Sequence, residues 1–180
     1  MEELFSKVLD DDEKIVKVFK PKKIKLFLSN IILHGLWLLF FTVMSVLAIL
    51  FPEEGVPASD PITVLIPIGI YIAIIALICV LSAIHYKNTY YAYSNKRIIV
   101  RSGIFGVDYK SLDLVSISST NVYVSLLDKL LHKDTGSLSF GSASSPVNGQ
   151  AGSLYRFNHI EKPYETCKEI KSYIAEQKNN

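Results

Sequence analysis

Two apolar stretches, LFLSNIILHGLWLLFFTVMSVLAILF at residues 26–51 and ITVLIPIGIYIAIIALICVLSAIH at residues 62–85, decide how the rest of the chain is arranged. Neither contains Asp, Glu, Lys or Arg. A helix rises 1.5 Å per residue, so about 20 apolar residues cross a hydrocarbon core of about 30 Å. Each stretch is long enough to cross with some tilt. A chain of 180 residues has too little material to enclose both helices in a soluble core. Between them, PEEGVPASDP at residues 52–61 carries three prolines, a glycine and three acids. Such a segment cannot continue a helix in lipid, where every backbone polar group needs a partner. The prediction is an antiparallel hairpin: a first span over 26–51, a polar turn over 52–61 and a second span over 62–86.

Charge sets the orientation. Lys14, Lys17, Lys20, Lys22, Lys23 and Lys25 precede the first span, and Lys87, Lys96, Arg97 and Arg101 follow the second. The turn between has no cation. Basic residues near span ends stay on the cytoplasmic side. Both termini are therefore expected in the cytoplasm, with the turn outside, in a multi-pass protein of the cell inner (cytoplasmic) membrane. The first span does not read as a cleaved signal peptide. Its apolar run is too long, its leading flank mixes acids with lysines, and no small-residue cleavage site follows.

Within the spans, Trp37 is too deep for an interfacial belt, while Tyr86 is placed for one. His34 and His85 are lone histidines near the ends of their runs, with helix-packing or interfacial roles expected. The lack of charge inside both runs argues against a proton pathway or an ion channel.

The flanks hold the rest of the protein. Residues 1–25 carry seven Lys against six acids, and residues 87–180 carry twelve Lys and Arg against eight acids. A mildly basic domain tethered below an anionic leaflet is attracted to it, by about 1 kcal/mol for each cation close to the surface. The charge is too diffuse for a nucleic-acid face. Cys79 and Cys167 fall in different compartments of the chain, and the cytosol keeps thiols reduced, so no structural disulfide is expected.

Residues 1–25 read as a cytoplasmic segment. Leu4, Phe5, Val8 and Leu9 at helical spacing predict a short amphipathic helix over 2–12. Residues 13–20, EKIVKVFK, predict a short strand that Pro21 ends. The basic cluster Lys20, Lys22, Lys23 and Lys25 sits where headgroup phosphates would be, and it also fixes the topology.

From Asn88 the pattern turns to period two. YYAY at residues 90–93, the polar turn Ser94-Asn95-Lys96, and RIIVR at residues 97–101 predict a β-hairpin. Further strands are expected over 107–114, 115–124, 137–140 and 153–160. The stretch from Val115 to Val124 is weakly apolar and suits an edge. Leu126, Leu127, Leu130 and Leu131 have helical spacing, and residues 141–152 read as an irregular loop. Pro163 opens a helix at its favoured first-turn position, with Tyr164, Cys167, Ile170 and Ile174 on one face. Six or seven short antiparallel strands and one amphipathic helix fill residues 87–176, and residues 177–180 are expected to fray. The fold class is α+β: a two-helix transmembrane hairpin followed by a small antiparallel barrel or sandwich that the helix caps.

At this point the chain resembles a family. Residues 91–105, YAYSNKRIIVRSGIF, look like the opening strand–turn–strand signature of bacterial membrane proteins carrying a pleckstrin-homology (PH) domain of the second bacterial class. Asp113-Leu114-Val115, Leu126 to Phe140, and residues 157–165 resemble its later steps and its entry into the closing helix. The resemblance covers about residues 88–175. Residues 131–136 depart from it, where a tighter glycine-rich turn is usual, as does the Ser/Gly loop at 141–152. It implies a PH-like fold and no catalytic residues. It also implies a link to envelope stress and resistance to membrane-active peptides.

No enzyme motif is present. There is no phosphate-cradling G-x-x-x-x-G-K-[ST] loop, no H-E-x-x-H pair and no G-x-S-x-G elbow. Glu53-Glu54 read as solvated loop acids. His132 and His159 have no second metal ligand at useful spacing. Ser142, Ser144 and Ser145 have no base nearby in sequence. No cofactor or metal is expected. What remains is binding. Lys96, Arg97, Arg101 and Lys110 are the candidate contacts to a lipid or other anionic headgroup, since Arg and Lys supply charge-assisted donors to phosphate. Anionic inner-leaflet lipids are the expected partner, together with a protein partner or a second copy of the chain. The reading is a non-enzymatic membrane protein that presents a PH-like domain for protein or lipid binding. The alternative is an accessory subunit of a membrane transporter or export complex.

Overall fold

The computed structural model describes residues 2–51, 61–126, 129, 134–143 and 154–179. They form two compact units: residues 24–83, and residues 1–23 together with 84–180.

The first of these units is a pair of long helices, α1 (Lys23–Leu50) and α2 (Pro61–Asn88). Pro67 lies inside α2. The Tyr71 hydroxyl donates to the His34 carbonyl at 3.2 Å, and the Phe41 ring lies 6.1 Å from Tyr71. Large apolar side chains such as Leu36, Trp37, Phe40, Leu65, Ile66 and Leu77 are exposed. A water-soluble helix buries an apolar stripe; here the apolar surface is turned outward. Where two spans are expected, one helical stretch among the described residues, Leu65–Asn88, is long and apolar enough to cross a membrane; α1 has a shorter apolar stretch, His34–Leu47. Residues 52–60 of the expected outer turn lie outside the described residues.

The other unit is β-rich and discontinuous in sequence. Its first strand, β1 (Ile15–Phe19), precedes the helices. After them come β2 (Tyr90–Ser94), β3 (Arg97–Ser102), β4 (Asp108–Asp113), β5 (Ser119–Tyr123), β6 (Thr135–Gly141) and β7 (Tyr155–Glu161). A closing helix, α3, spans Pro163–Asn179. The strands make two antiparallel sheets, β1-β2-β3-β4 and β5-β6-β7. Thus the segment before the helices is part of the same unit as residues 87–176. The expected helix over 2–12 is instead a 3-10 turn at Glu2–Leu4 followed by turns. This stretch is held by long-range burial, which does not require helical hydrogen bonding.

Alternation along the strands builds the core. Tyr91, Tyr93, Ile98, Val100 and Leu112 point inward from the first sheet. Leu138, Phe140, Phe157 and Ile160 meet them from the second, and Cys167, Ile170 and Ile174 of α3 close the open end. Burial pushes the Tyr91 phenol up to about 12. The intervening residues Ala92 and Ile99 are also buried, against Phe5, with Leu4, Val8 and Tyr109 around them. The N-terminal segment therefore covers the outer face of the first sheet, and the uninterrupted Ile98-Ile99-Val100 run is buried on both faces. The Tyr109 hydroxyl donates to the Leu4 carbonyl at 2.7 Å and helps hold the segment down.

Strand β6 begins at Thr135, so Gly136 lies within it rather than in a turn before it. A Cβ there would sit 2.9 Å from the Tyr123 carbonyl oxygen and 2.9 Å from Pro163 Cγ. Neither neighbour is the end of a flexible side chain. Gly136→Ala is expected to destabilise the unit by about 1–3 kcal/mol through overpacking. Thermal unfolding followed by circular dichroism measures it, and an unchanged midpoint would refute the close-packing account.

Candidate functional site

Lys96 and Arg97, at the β2–β3 turn, are bound by acids of their own chain. Lys96 Nζ lies 2.6 Å from Asp12 and 3.6 Å from Asp10. The Arg97 Nε donates to both Glu13 oxygens at 3.1 Å, and its Nη2 donates to Glu13 Oε2 and to the Val8 carbonyl at 2.7 Å. Ser94 donates its hydroxyl to the same carboxylate. The Glu13 side chain is fully buried. Burial pushes its carboxyl up, but the bonds from Arg97, Ser94 and the Asp10 amide outweigh it and hold the carboxyl below the usual range. Arg101, at the other end of β3, donates to the Asn88 carbonyl at 2.9 Å and the Tyr109 hydroxyl at 3.3 Å. Lys110 is exposed on β4. These four candidates do not converge, and Lys96 and Arg97 are ion-paired within the chain to Asp12 and Glu13. The structure reads this pair as an internal anchor for the N-terminal segment.

The juxtamembrane cluster has a different setting. Pro21 ends β1, and the Lys22 amide donates to the His159 carbonyl at 2.7 Å. His159 has φ 55° at a bulge where β7 carries one residue more than β6. That carbonyl holds the chain leading into α1 against β7. Between residues 17–23 and the β7–α3 junction lies an open cleft of about 540 Å³. Lys17, Lys20, Lys22 and Lys23 line it from one side, with Tyr86 at its rim. Glu161, Lys162, Glu165 and Glu169 line the other side. The side chain of Lys25 lies outside the described residues.

Three of the five lysines are compensated. Lys17 pairs with Glu169 at 2.7 Å, Lys162 with Glu165 at 3.0 Å, and Lys22 with Glu161. The Glu169 carboxyl is raised by burial but lowered further by Lys17 and the Tyr93 hydroxyl, so its net shift is downward. Among the described residues Lys20 and Lys23 have no carboxylate partner. Lys20 Nζ instead donates to the Tyr90 hydroxyl at 3.0 Å and lies 4.7 Å and 4.6 Å from the ring centroids of Tyr86 and Tyr90. Tyr86 and Tyr90 are half-buried, and a cation over an aromatic face gains about 0.5–2 kcal/mol.

A family model described as "Bacterial PH domain" matches residues 26–177. The chain belongs to the bacterial PH domain family. The matched residues take in most of both helices, strands β2 to β7 and most of the closing helix, while β1 lies before them. Among solved structures, a DUF1696-family protein with a pleckstrin-homology domain from Shewanella loihica PV-4 is similar over 96% of this chain and 91% of that one, at 10% identity and a TM-score of 0.43. A search of the curated proteins finds no match.

Sequence reasoning found Lys20, Lys22 and Lys23 but missed Lys17, Lys162 and the Tyr86–Tyr90 pair of this PH domain. Lys162 stands far along the chain from the cluster, and only the β7–α3 turn brings it there. The Lys17-Val18-Phe19-Lys20 alternation predicted the strand; its partner could not be read. Among the described residues, no three His, Cys, Asp or Glu are grouped to hold a metal. Glu53, Glu54, His132, Ser144 and Ser145 lie outside those residues.

Proposed function

We propose that this protein is a non-enzymatic membrane protein in which α1 and α2 span the bilayer and hold the PH domain at the cytoplasmic face. There the cleft beside Lys20 and Lys23 takes the phosphate of an anionic lipid headgroup. One observation carries the reading: Lys20 and Lys23, which have no carboxylate partner among the described residues, line a cleft where β1 leads into α1. Chain connectivity alone keeps that cleft within a few residues of the apolar helices. The outward apolar surface of both helices supports the membrane assignment, and the absence of cations between them supports the orientation. This reading does not call on Lys96 and Arg97, which pair with Asp12 and Glu13.

The test uses the full chain in neutral detergent, since β1 belongs to the domain and a fragment starting at residue 88 lacks it. Monomeric dihexanoyl phosphatidylglycerol, dihexanoyl phosphatidylcholine and inorganic phosphate are titrated separately. Phosphatidylglycerol is expected to bind, with affinity falling as salt is added. Lys20→Ala/Lys23→Ala should weaken it about tenfold, the loss of one to two charge-assisted bonds. Equal binding of phosphatidylcholine, or an unaffected double variant, would remove the cleft from consideration. Binding of inorganic phosphate with no gain from the lipid would make it a free-phosphate site.

A further inference from the structure

We infer that the free edge of β5 takes up an extended, acidic segment of another protein as an added strand, laid in the groove between β5 and α3. Strand β5 ends its sheet and pairs with β6 alone. Along an edge strand, every second residue turns its N–H and C=O away from the neighbouring strand. Such an edge is a template for another chain, and proteins ordinarily guard it with charge, proline or a bulge. The other three edges of the two sheets are guarded. Strand β1 carries Lys17 and a register shift, β4 carries Asp108, Lys110 and Asp113, and β7 carries Arg156, Glu161 and a register shift. Strand β5, Ser119-Thr120-Asn121-Val122-Tyr123, has no charged residue, no proline and no register shift.

The unguarded edge adjoins a groove of about 350 Å³, lined by residues 117–121 and by Lys171 and Ile174 of α3. Among the described residues none from β6 or β7 lines it, so it lies on the side of β5 away from its partner strand. It shares no lining residue with the lysine cleft. Its occupant is defined by three features. The strand edge offers backbone donors and acceptors, which an extended chain satisfies along its whole length. Ile117 and Ile174, both buried, form an apolar floor. Lys171 is exposed at the rim and has no carboxylate partner among the described residues, and no acid among them lines the groove. Lys168 stands three residues earlier on the same side of α3. A basic segment is repelled there and an acidic one is drawn in. Residues two apart on a strand share a face. The fitting partner is therefore a strand with an acid and an aliphatic residue two positions apart.

The experiment selects a random octapeptide display library on the full chain in neutral detergent. Enriched peptides are expected to carry Asp or Glu two positions from Val, Ile or Leu. The most enriched peptide is then synthesised in three forms: unmodified, N-methylated at one alternate set of amides, and N-methylated at the other. One methylated form should bind more than about tenfold more weakly and the other unchanged, because only one edge of an added strand meets β5. Lys171→Glu should weaken the unmodified peptide about tenfold. Bound peptide should also slow amide exchange within residues 118–122. Absence of any enriched peptide overturns the proposal, as does binding indifferent to Lys171→Glu. Equal loss, or no loss, in the two methylated forms means that the groove does not take a strand. Self-association of the chain that protects the same amides without peptide makes the occupant a second copy and overturns the assignment to another protein.

Discussion

Arg97→Ala is expected to lower the unfolding free energy of the PH domain by about 3–5 kcal/mol, because it leaves a buried carboxylate without its cation. The carboxylate is Glu13, whose side chain is fully buried and whose oxygens take three bonds from the guanidinium. Removing Arg97 also removes the donor to the Val8 carbonyl, at the centre of the N-terminal cover. The loss should be local first, so residues 2–19 exchange their amides before the rest of the domain unfolds. Glu13→Ala costs less than Arg97→Ala, since Arg97 is one fifth exposed and keeps access to water. A double variant, Glu13→Leu/Arg97→Met, should recover most of the stability, as paired replacement of buried ions by apolar groups often does. Denaturant titration of the wild type, Glu13→Leu, Arg97→Met and the double variant closes the cycle. Additive single losses in the double variant would show that the two residues do not act as a pair.

The same pair sets an acid limit. The folded Glu13 carboxyl is held below its ordinary value of 4.5. A depressed carboxyl stabilises the folded state above the unfolded-state value, and the contribution is lost as pH falls through the folded-state value. Stability should therefore decline below about pH 4.5, with a shallower slope in Glu13→Gln. An identical slope in that variant would assign the acid sensitivity to other carboxyls.

Phe157→Ala is expected to cost a similar amount, about 3–5 kcal/mol, by opening a cavity at the centre of the core. Phe157 is fully buried. Its ring stacks on Tyr91 at 4.9 Å, meets Phe140 edge-on at 5.0 Å and touches Phe19 at 5.9 Å. These contacts join both sheets and reach β1, so the cavity should loosen β1 as well as the packing between the sheets. Trp37 is the single tryptophan and lies in α1, outside this domain. Tyrosine near-ultraviolet circular dichroism is therefore the suitable probe. The Tyr91 signal should fall with the substitution, and Phe157→Leu should keep much of the stability. A Phe157→Ala protein with wild-type stability would mean that the two sheets do not share one core.

The strands and the closing helix were legible because their signals are local. Tyr91, Tyr93, Ile98 and Val100 alternate with the right period, and Pro163 marks the first turn of α3. The long apolar runs at 26–51 and 62–85 were equally plain. The candidate site was legible only in part. Lys20, Lys22 and Lys23 form a run along the chain, whereas Lys162 joins them through a turn made by a distant segment. Lys96 and Arg97 looked available because their partners lie 84 residues earlier.

By itself, the sequence determined the two apolar helices, the cation-free segment between them and the β-rich class of the tail, since each depends on composition or period within a short window. Only the tertiary structure decided that residues 15–19 form the first strand of that domain. Only it showed that Asp12 and Glu13 pair with the most obvious cations, and that Lys20 and Lys23 have no carboxylate partner among the described residues. Those outcomes depend on which segments meet across the helical insertion. Strand register and ion pairing between distant residues are fixed by the packing of the whole domain, and no local pattern encodes them.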